Sequence, residues 1–204
     1  MIKNIIFDYG DIFINLDKPA TQRELDKLGI DDFTTEMMEK NQAYEKGLIS
    51  TEEFVNFYHA QFPETTKKDL IDAWNAILKD FPKHRMEFIQ KLAKDNNYRL
   101  FILSNTNDLH ISWIQEDWGM ELYNEFKNCF EQFYLSHEIH FRKPNVDIYE
   151  FVLNENNLKP EETIFIDDTK ENTDAAATLG IHVWNLIPGK EDIVDIFTHK
   201  QSLF

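Results

Sequence analysis

The sequence predicts an α/β protein, a Rossmann-like parallel sheet flanked by helices, with an all-helical cap inserted near its start. Short apolar runs of strand length alternate along the chain with segments of helical spacing, which is the pattern of a parallel sheet covered by helices. The interval between the first two runs is far longer than one crossover helix needs. We therefore expect one α/β core and one helical insertion.

Four apolar runs predict buried strands and a fifth predicts a weaker one. Continuous apolar runs are typical of parallel strands that are covered on both faces. The four are NIIFD (4–8), RLFILS (99–104), ETIFID (162–167) and HVWNL (182–186), and the weaker one is FEQFYLS (130–136). Helical spacing precedes the second and third of them, in RMEFIQKLAKDNN and NVDIYEFVLNENN.

The interval 19–84 predicts a small helical bundle. The stretches PATQRELDKLG, STEEFVNFYHAQF and TTKKDLIDAWNAILKDF have helical spacing, and no convincing strand lies among them. Ser50 followed by Glu53 forms a capping box, which marks the start of one helix. We therefore divide the chain into a core, residues 1–18 and 85–204, and a helical cap, residues 19–84.

Composition excludes several classes of partner. The chain has 204 residues, 42% of them hydrophobic, with 21 basic and 37 acidic side chains and a net charge of −16. This charge repels nucleic acid and anionic membranes, and no stretch approaches the ~20 apolar residues of a membrane helix. We expect a cytoplasmic protein with neither as partner. Because the field also opposes anionic substrates, a phosphate site would need local cations or aligned backbone amides.

Polar residues follow three of the predicted strands. Asp8 ends the first run, Ser104 and Asn105 end the second, and Asp167 with Asp168 ends the third. The carboxyl ends of parallel strands share one edge, where α/β folds bind ligands. Any one such Asp could be a turn former or a helix N-cap. Together, three close carboxylates require a compensating cation, and Mg²⁺ fits their oxygen ligands best.

Four motifs in order, IIFDYGD, LSNTN, RKP and IDDTKEN, resemble those of the haloacid dehalogenase-like hydrolase superfamily. The resemblance covers essentially the whole chain, because that family carries a helical cap between its first two motifs. Within it, the sequence is most similar to the branch that contains bacterial sugar-phosphate phosphatases and the phosphatase domain of soluble epoxide hydrolases.

The resemblance implies a role for each matching residue. Asp8 would be the nucleophile that forms an aspartyl-phosphate. Ser104, the backbone amide of Asn105 and Lys143 would bind and stabilise the transferring phosphoryl group. The implied magnesium ligands are Asp8, the carbonyl of Gly10, Asp168, and Asp167 directly or as an outer ligand. Asn172, where many relatives have an acid, would orient the loop.

One residue of the family pattern is missing. Most phosphatases of this family have an aspartate two residues after the nucleophile, which protonates the leaving oxygen, and here that position is Gly10. Asp11 lies one residue further on, where its side chain should point elsewhere. Our hypothesis is that Asp11 does not replace the missing acid. The absence of a general acid would favour substrates whose leaving group needs little protonation, such as anomeric sugar phosphates or acyl phosphates.

Other residues are weaker candidates for contacting a substrate. Tyr44, Glu45 and Lys46 precede a glycine turn of the cap, where they could equally be a solvated helix end. Three further candidates, His110, Trp113 and Trp118, follow the second motif, and packing roles are favoured for them. His137 and His140 precede Lys143 in an expected loop, where structural or incidental roles are favoured.

The function that the resemblance implies is a Mg²⁺-dependent phosphatase that hydrolyses a small phosphorylated metabolite, such as a sugar phosphate. The alternatives are a catalytically silent binding protein of the same fold and a haloacid dehalogenase. The paired Asp167 and Asp168 argue against the dehalogenase, and Gly10 argues against a phosphomutase. The substrate and the oligomeric state stay open.

Overall fold

The computed structural model describes residues 1–204, and its core is a five-stranded parallel sheet. The order across the sheet is β3-β2-β1-β4-β5. All five predicted strands are present, with bounds that differ from the predicted ones by at most two residues. They are β1 (Asn4–Phe7), β2 (Arg99–Ser104), β3 (Gln132–Leu135), β4 (Thr163–Asp167) and β5 (His182–Asn185).

β1 lies at the centre of the sheet, where β2 and β4 pair with its two sides. Ile6 lies opposite Phe101 of β2 and Phe165 of β4. Successive strand side chains point to opposite faces, so Ile5 and Phe7 enter one buried cluster and Ile6 enters the other. This double burial explains why the central strands are continuous apolar runs.

Helices make up most of the rest of the chain. The insertion between β1 and β2 contains α1 (Ala20–Lys27), α2 (Thr35–Glu45), α3 (Thr51–Gln61) and α4 (Lys67–Asn75). The helices that follow are α5 (Lys83–Asp95), α6 (Asp108–Trp118), α7 (Met120–Lys127), α8 (Ser136–Ile139), α9 (Val146–Glu155), α10 (Lys170–Ala177) and α11 (Ile196–His199). None of them is long and apolar enough to cross a lipid bilayer.

The inserted helices pack around a separate hydrophobic cluster, to which α6 adds Leu109. Tyr44 stacks on Phe54 with ring centroids 4.1 Å apart, and Trp74 meets Phe54 edge-on at 5.1 Å. Ser50 begins α3 as predicted, because its hydroxyl accepts a hydrogen bond from the Glu53 backbone N–H while the Glu53 carboxylate accepts one from the Ser50 backbone N–H. The core and cap bounds at residues 18, 19, 84 and 85 remain a prediction.

Candidate active site

Three carboxylates meet at the carboxyl edge of the sheet. Asp8 follows β1, Asp167 is the last residue of β4, and Asp168 comes next. One oxygen from each lies within 4.8 Å of the others. The adjacent pairing of β1 with β4 produces this approach, since their carboxyl ends lie side by side.

A buried ammonium group lies between two of these carboxylates. Lys143 Nζ is 2.8 Å from Asp8 Oδ1 and 2.6 Å from Asp167 Oδ2, and the lysine is only 1% exposed. The side chain of Asn105 fixes the backbone there, because its amide donates to the Lys143 carbonyl and its oxygen accepts from the Lys143 N–H, each at 2.9 Å. The motifs that end β2 and precede α9 are thus joined directly.

Asp167 is fully buried and its oxygens are taken up by protein donors. Besides Lys143, they accept hydrogen bonds from the Thr169 N–H at 2.8 Å and from the Asn172 amide at 3.1 and 3.0 Å. The Asn172 carbonyl in turn accepts from the Tyr149 hydroxyl at 2.9 Å. Asp167 is therefore built to hold Lys143 and the loop, which leaves Asp168 as the freer of the two acids.

Burial shapes the protonation of this cluster. It raises the pKa of Asp8 to about 7. The positive charge of Lys143 lowers this pKa, and the negative charge of Asp167 raises it further. Burial also raises the pKa of Asp168. Burial alone would lower the pKa of Lys143, but the carboxylates of Asp167 and Asp8 raise it above its usual value. The lysine is therefore a permanent cation of the site.

The loop after β1 holds Asp11 away from the missing-acid position. Asp11 adopts a positive φ of 56°, and its Oδ1 accepts a hydrogen bond from the Leu16 N–H at 3.0 Å. Its Oδ2 lies 3.4 Å from Lys18 Nζ, which also pairs with Asp168. A Cβ on Gly10 would lie 2.7 Å from Leu16 Cδ1, so the loop packs closely on a residue without a side chain.

The charge and the ligand chemistry of this cluster fit a divalent cation. Four carboxylates, of Asp8, Asp11, Asp167 and Asp168, lie against only two ammonium groups, of Lys18 and Lys143. When all are ionised, two negative charges remain unbalanced. The side-chain atoms here that could ligate a metal are all carboxylate oxygens, which is the donor type of Mg²⁺ or Ca²⁺ and not of a metal that prefers thiolate ligands.

Two adjoining concavities open at this edge. The first, which we call the depression, is lined mainly by polar residues, among them Asp8, Gly10, Lys18, Ser104, Asn105, Arg142, Lys143, Asp168 and Asn172. The second, which we call the cavity, has a volume of about 190 Å³ and is lined by Tyr9, Gly10, Ile14, Leu16, Glu45, Ile77, Leu78, Ser104, Asn105, Thr106, Asn107, His110 and Ile114. The predicted phosphoryl-binding residues Ser104 and Asn105 belong to both.

The end of α2 brings one side chain to the cavity. Glu45 lines it, and Glu45 Oε2 accepts a hydrogen bond from Arg142 Nε at 2.7 Å. Tyr44 is occupied otherwise, since its hydroxyl accepts from the Leu109 N–H at 3.1 Å. Lys46 contributes a backbone carbonyl, which lies 2.8 Å from His140 Nδ1. Of the three cap candidates, only Glu45 lines the cavity.

The turn after Glu45 rests directly on the core backbone. Gly47 has a positive φ of 64°, and a Cβ there would lie 1.9 Å from the carbonyl oxygen of His137. Ser136 Oγ donates to the Glu45 carbonyl at 2.6 Å. Only glycine therefore allows this turn to approach the core so closely.

The histidines and tryptophans have distinct places. His110 lines the cavity, whereas Trp113 and Trp118 pack against the hydrophobic core, Trp118 stacking on Phe81 at 4.3 Å. The loop predicted around His137 is wrong: Ser136–Ile139 forms the short helix α8, which ends because His140 adopts a left-handed φ of 63°. A glycine would adopt this conformation without strain.

Comparison with known families shows which family the chain belongs to. Residues 5–186 match the family model of haloacid dehalogenase-like hydrolases. The chain belongs to this family.

Several relatives of this hydrolase are similar over nearly their whole length. D-ribitol-5-phosphate phosphatase from Bacteroides thetaiotaomicron is 27% identical over 190 residues, which cover 90% of this chain and 91% of the relative. A HAD family enzyme from the same organism, solved with magnesium and inorganic phosphate, superposes with a TM-score of 0.76 at 31% identity and covers 94% and 97% of the two chains. A predicted HAD-like family hydrolase from Porphyromonas gingivalis superposes with a TM-score of 0.84 at 29% identity and covers 100% and 98%.

Two charged side chains of this hydrolase's depression escaped the sequence analysis. Lys18 pairs with Asp168, which lies 150 positions away, and Arg142 pairs with Glu45, which lies 97 positions away. Arg142 does stand beside Lys143 in the quoted RKP motif, so its position offered a signal. Lys18 offered none beyond its closeness in sequence to the first motif.

Proposed function

We propose that this hydrolase is a Mg²⁺-dependent phosphatase that removes phosphate from a small sugar or polyol phosphate. The observation that carries the proposal is the meeting of Asp8, Asp168 and Lys143 at one edge of the sheet, around a gap with a net negative charge. The ribitol-phosphate phosphatase relative and the relative solved with magnesium and phosphate support it.

Asp8 is the proposed nucleophile. One of its carboxylate oxygens attacks phosphorus, the bond from phosphorus to the leaving oxygen breaks, and an aspartyl-phosphate forms. Water then attacks this phosphorus, which releases inorganic phosphate and restores the carboxylate. Lys143, already 2.8 Å from Asp8 Oδ1, steadies the nucleophile and the phosphoryl oxygens. Ser104 and the Asn105 backbone amide would complete the phosphoryl-binding site.

Asp8, Asp168 and the carbonyl of Gly10 would hold the magnesium ion. Asp167 would act from behind, through water or by orienting its neighbours, because its own oxygens already accept four hydrogen bonds from protein donors. A bound Mg²⁺ would neutralise charge on the phosphoryl group and so allow a carboxylate to approach it.

Leaving-group chemistry follows from Gly10. No carboxylate stands there to protonate the leaving oxygen, and Asp11 is held by Leu16 and Lys18. General acid catalysis is worth ~10²–10⁴-fold, so esters whose leaving group needs little protonation should react fastest. Anomeric sugar phosphates and aryl phosphates are of this kind.

The test is hydrolysis of p-nitrophenyl phosphate with Mg²⁺ and with a chelator. We expect release of p-nitrophenol that requires Mg²⁺ and falls at least ~10⁴-fold in Asp8→Asn, since this change removes the attacking charge. Circular dichroism checks that the variant is folded. Absence of activity on a panel of phosphate esters would instead indicate the silent binding protein, and chloride release from a haloacid would indicate the dehalogenase.

A further inference from the structure

The cavity beside the depression carries a single formal charge. Its other lining residues are aliphatic, aromatic, small or neutral polar, and Glu45 is its one carboxylate. Because Gly10, Ser104 and Asn105 line both concavities, a phosphate bound near Asp8 would direct its organic group into this cavity. Any charged substituent on that organic group would therefore lie in the same cavity as Glu45.

No lysine or arginine lines the cavity beside this carboxylate. His110 is the one titratable side chain besides Glu45 and the buried Tyr9, and burial lowers the pKa of His110 to about 4. Its ring nitrogens are satisfied in the neutral form, with Nε2 3.1 Å from the Trp74 carbonyl and Nδ1 3.3 Å from the Asn107 amide. At neutral pH this histidine adds no positive charge.

Arg142 forms an ion pair with Glu45. The Nε of Arg142 lies 2.7 Å from Glu45 Oε2, and both side chains are only 25% exposed. The Glu45 backbone is held as well, through Ser136 Oγ at 2.6 Å and through the close approach of Gly47 to His137. The carboxylate is thus held in place, and it occupies the Nε donor of Arg142.

We propose that Glu45 is a specificity residue that selects phosphate esters with a neutral, hydroxyl-bearing leaving group and rejects those with a carboxylate or a second phosphate. This inference rests on the proposed phosphatase function. An ionised carboxylate accepts hydrogen bonds from hydroxyl groups and repels a like charge in the same cavity. Asn107 adds a neutral polar group at the same wall.

The test compares two substrates that differ by one charge. Ribitol 5-phosphate and ribonate 5-phosphate share a five-carbon chain, and the second carries a carboxylate where the first carries a hydroxymethyl group. We expect the wild-type protein to prefer ribitol 5-phosphate by at least about tenfold in kcat/KM. In Glu45→Gln the preference should shrink by about tenfold or more, chiefly because kcat/KM for the ribonate ester rises once the Glu45 charge no longer repels its carboxylate.

Two variants serve as controls. Glu45→Asp keeps the charge and should keep most of the preference, while Glu39→Gln removes a charge from an exposed position of the same helix and should leave both substrates unchanged. Thermal unfolding checks that each variant is folded.

The outcomes separate the two proposals. Equal hydrolysis of both esters by the wild-type protein, or an equal loss for both in Glu45→Gln, would overturn the inference and leave the phosphatase intact. Absence of hydrolysis of any phosphate ester by the wild-type protein would overturn the proposed function and this inference with it.

Discussion

The depression and the cavity share a wall, but the residues that line them differ in polarity. Of 13 residues lining the depression one is hydrophobic, against six of the 13 lining the cavity. The depression contains ion pairs, such as that between Lys143 and Asp8, whereas the cavity is lined mostly by neutral groups such as His110. The chemistry of phosphate transfer and the choice of its organic group can therefore vary separately.

Loss of the buried lysine should damage the depression most. In Lys143→Met, Asp8 and Asp167 lose the cation that lies between them, and removing one partner of a buried ion pair costs about 3–5 kcal/mol. Turnover of p-nitrophenyl phosphate should fall by ~10²–10³-fold as well. Urea unfolding and steady-state kinetics measure the two effects.

A surface lysine provides the matched control for that change. Lys68 pairs with Asp72 one turn along α4, with its side chain 81% exposed, so Lys68→Met should alter neither turnover nor stability appreciably. Comparable losses in both variants would mean that the Lys143 pairs contribute no more than surface pairs do.

On the cavity side, His110→Gln should make the fold less sensitive to acid. The pKa of His110 drops from its usual 6.5 to about 4 in the folded chain, so unfolding takes up a proton between these two values. Relative to the variant, the wild-type protein should lose up to about 3 kcal/mol as pH falls from 6.5 to 4. Denaturant unfolding at several pH values measures this difference. A pH-independent difference would contradict the neutral, buried state of His110.

In the loop after β1, Asp11→Asn should have the smallest effect. Asparagine tolerates the left-handed φ of 56°, and its oxygen can still accept the Leu16 N–H. Turnover should fall less than about tenfold, because only a charge beside Lys18 is lost. The kcat for p-nitrophenyl phosphate measures it. A loss as severe as that of Asp8→Asn would make Asp11 the replacement for the missing acid.

The sequence predicted the sheet well because burial on both faces leaves a continuous apolar run. The predicted strand 99–104 coincides with β2, and the polar ends of β1 and β4 do meet. Four ordered motifs also placed Lys143 near Asp8, and the Ser50 capping box is formed. Each of these features depends either on residues that are neighbours in the sequence or on strands whose ends lie at one edge of the sheet, and both can be predicted from a sequence pattern.

Contacts between distant segments could not be predicted in the same way. The pairing of Glu45 with Arg142 depends on how the cap rests on the core, and no periodicity encodes that placement. The helix α8 has four residues, too few for a helical repeat to appear, so its segment resembled a loop. Likewise, Lys18 leaves no pattern that points to Asp168.

The missing side chain at Gly47 sets how near the cap can come to the core. Any larger residue would meet the His137 carbonyl and push the α2–α3 turn outward, carrying Glu45 with it. The Glu45 carboxylate would then move away from Arg142 and from the wall of the cavity. Breadth of substrate range and discrimination among substrates are therefore opposed at a single backbone position.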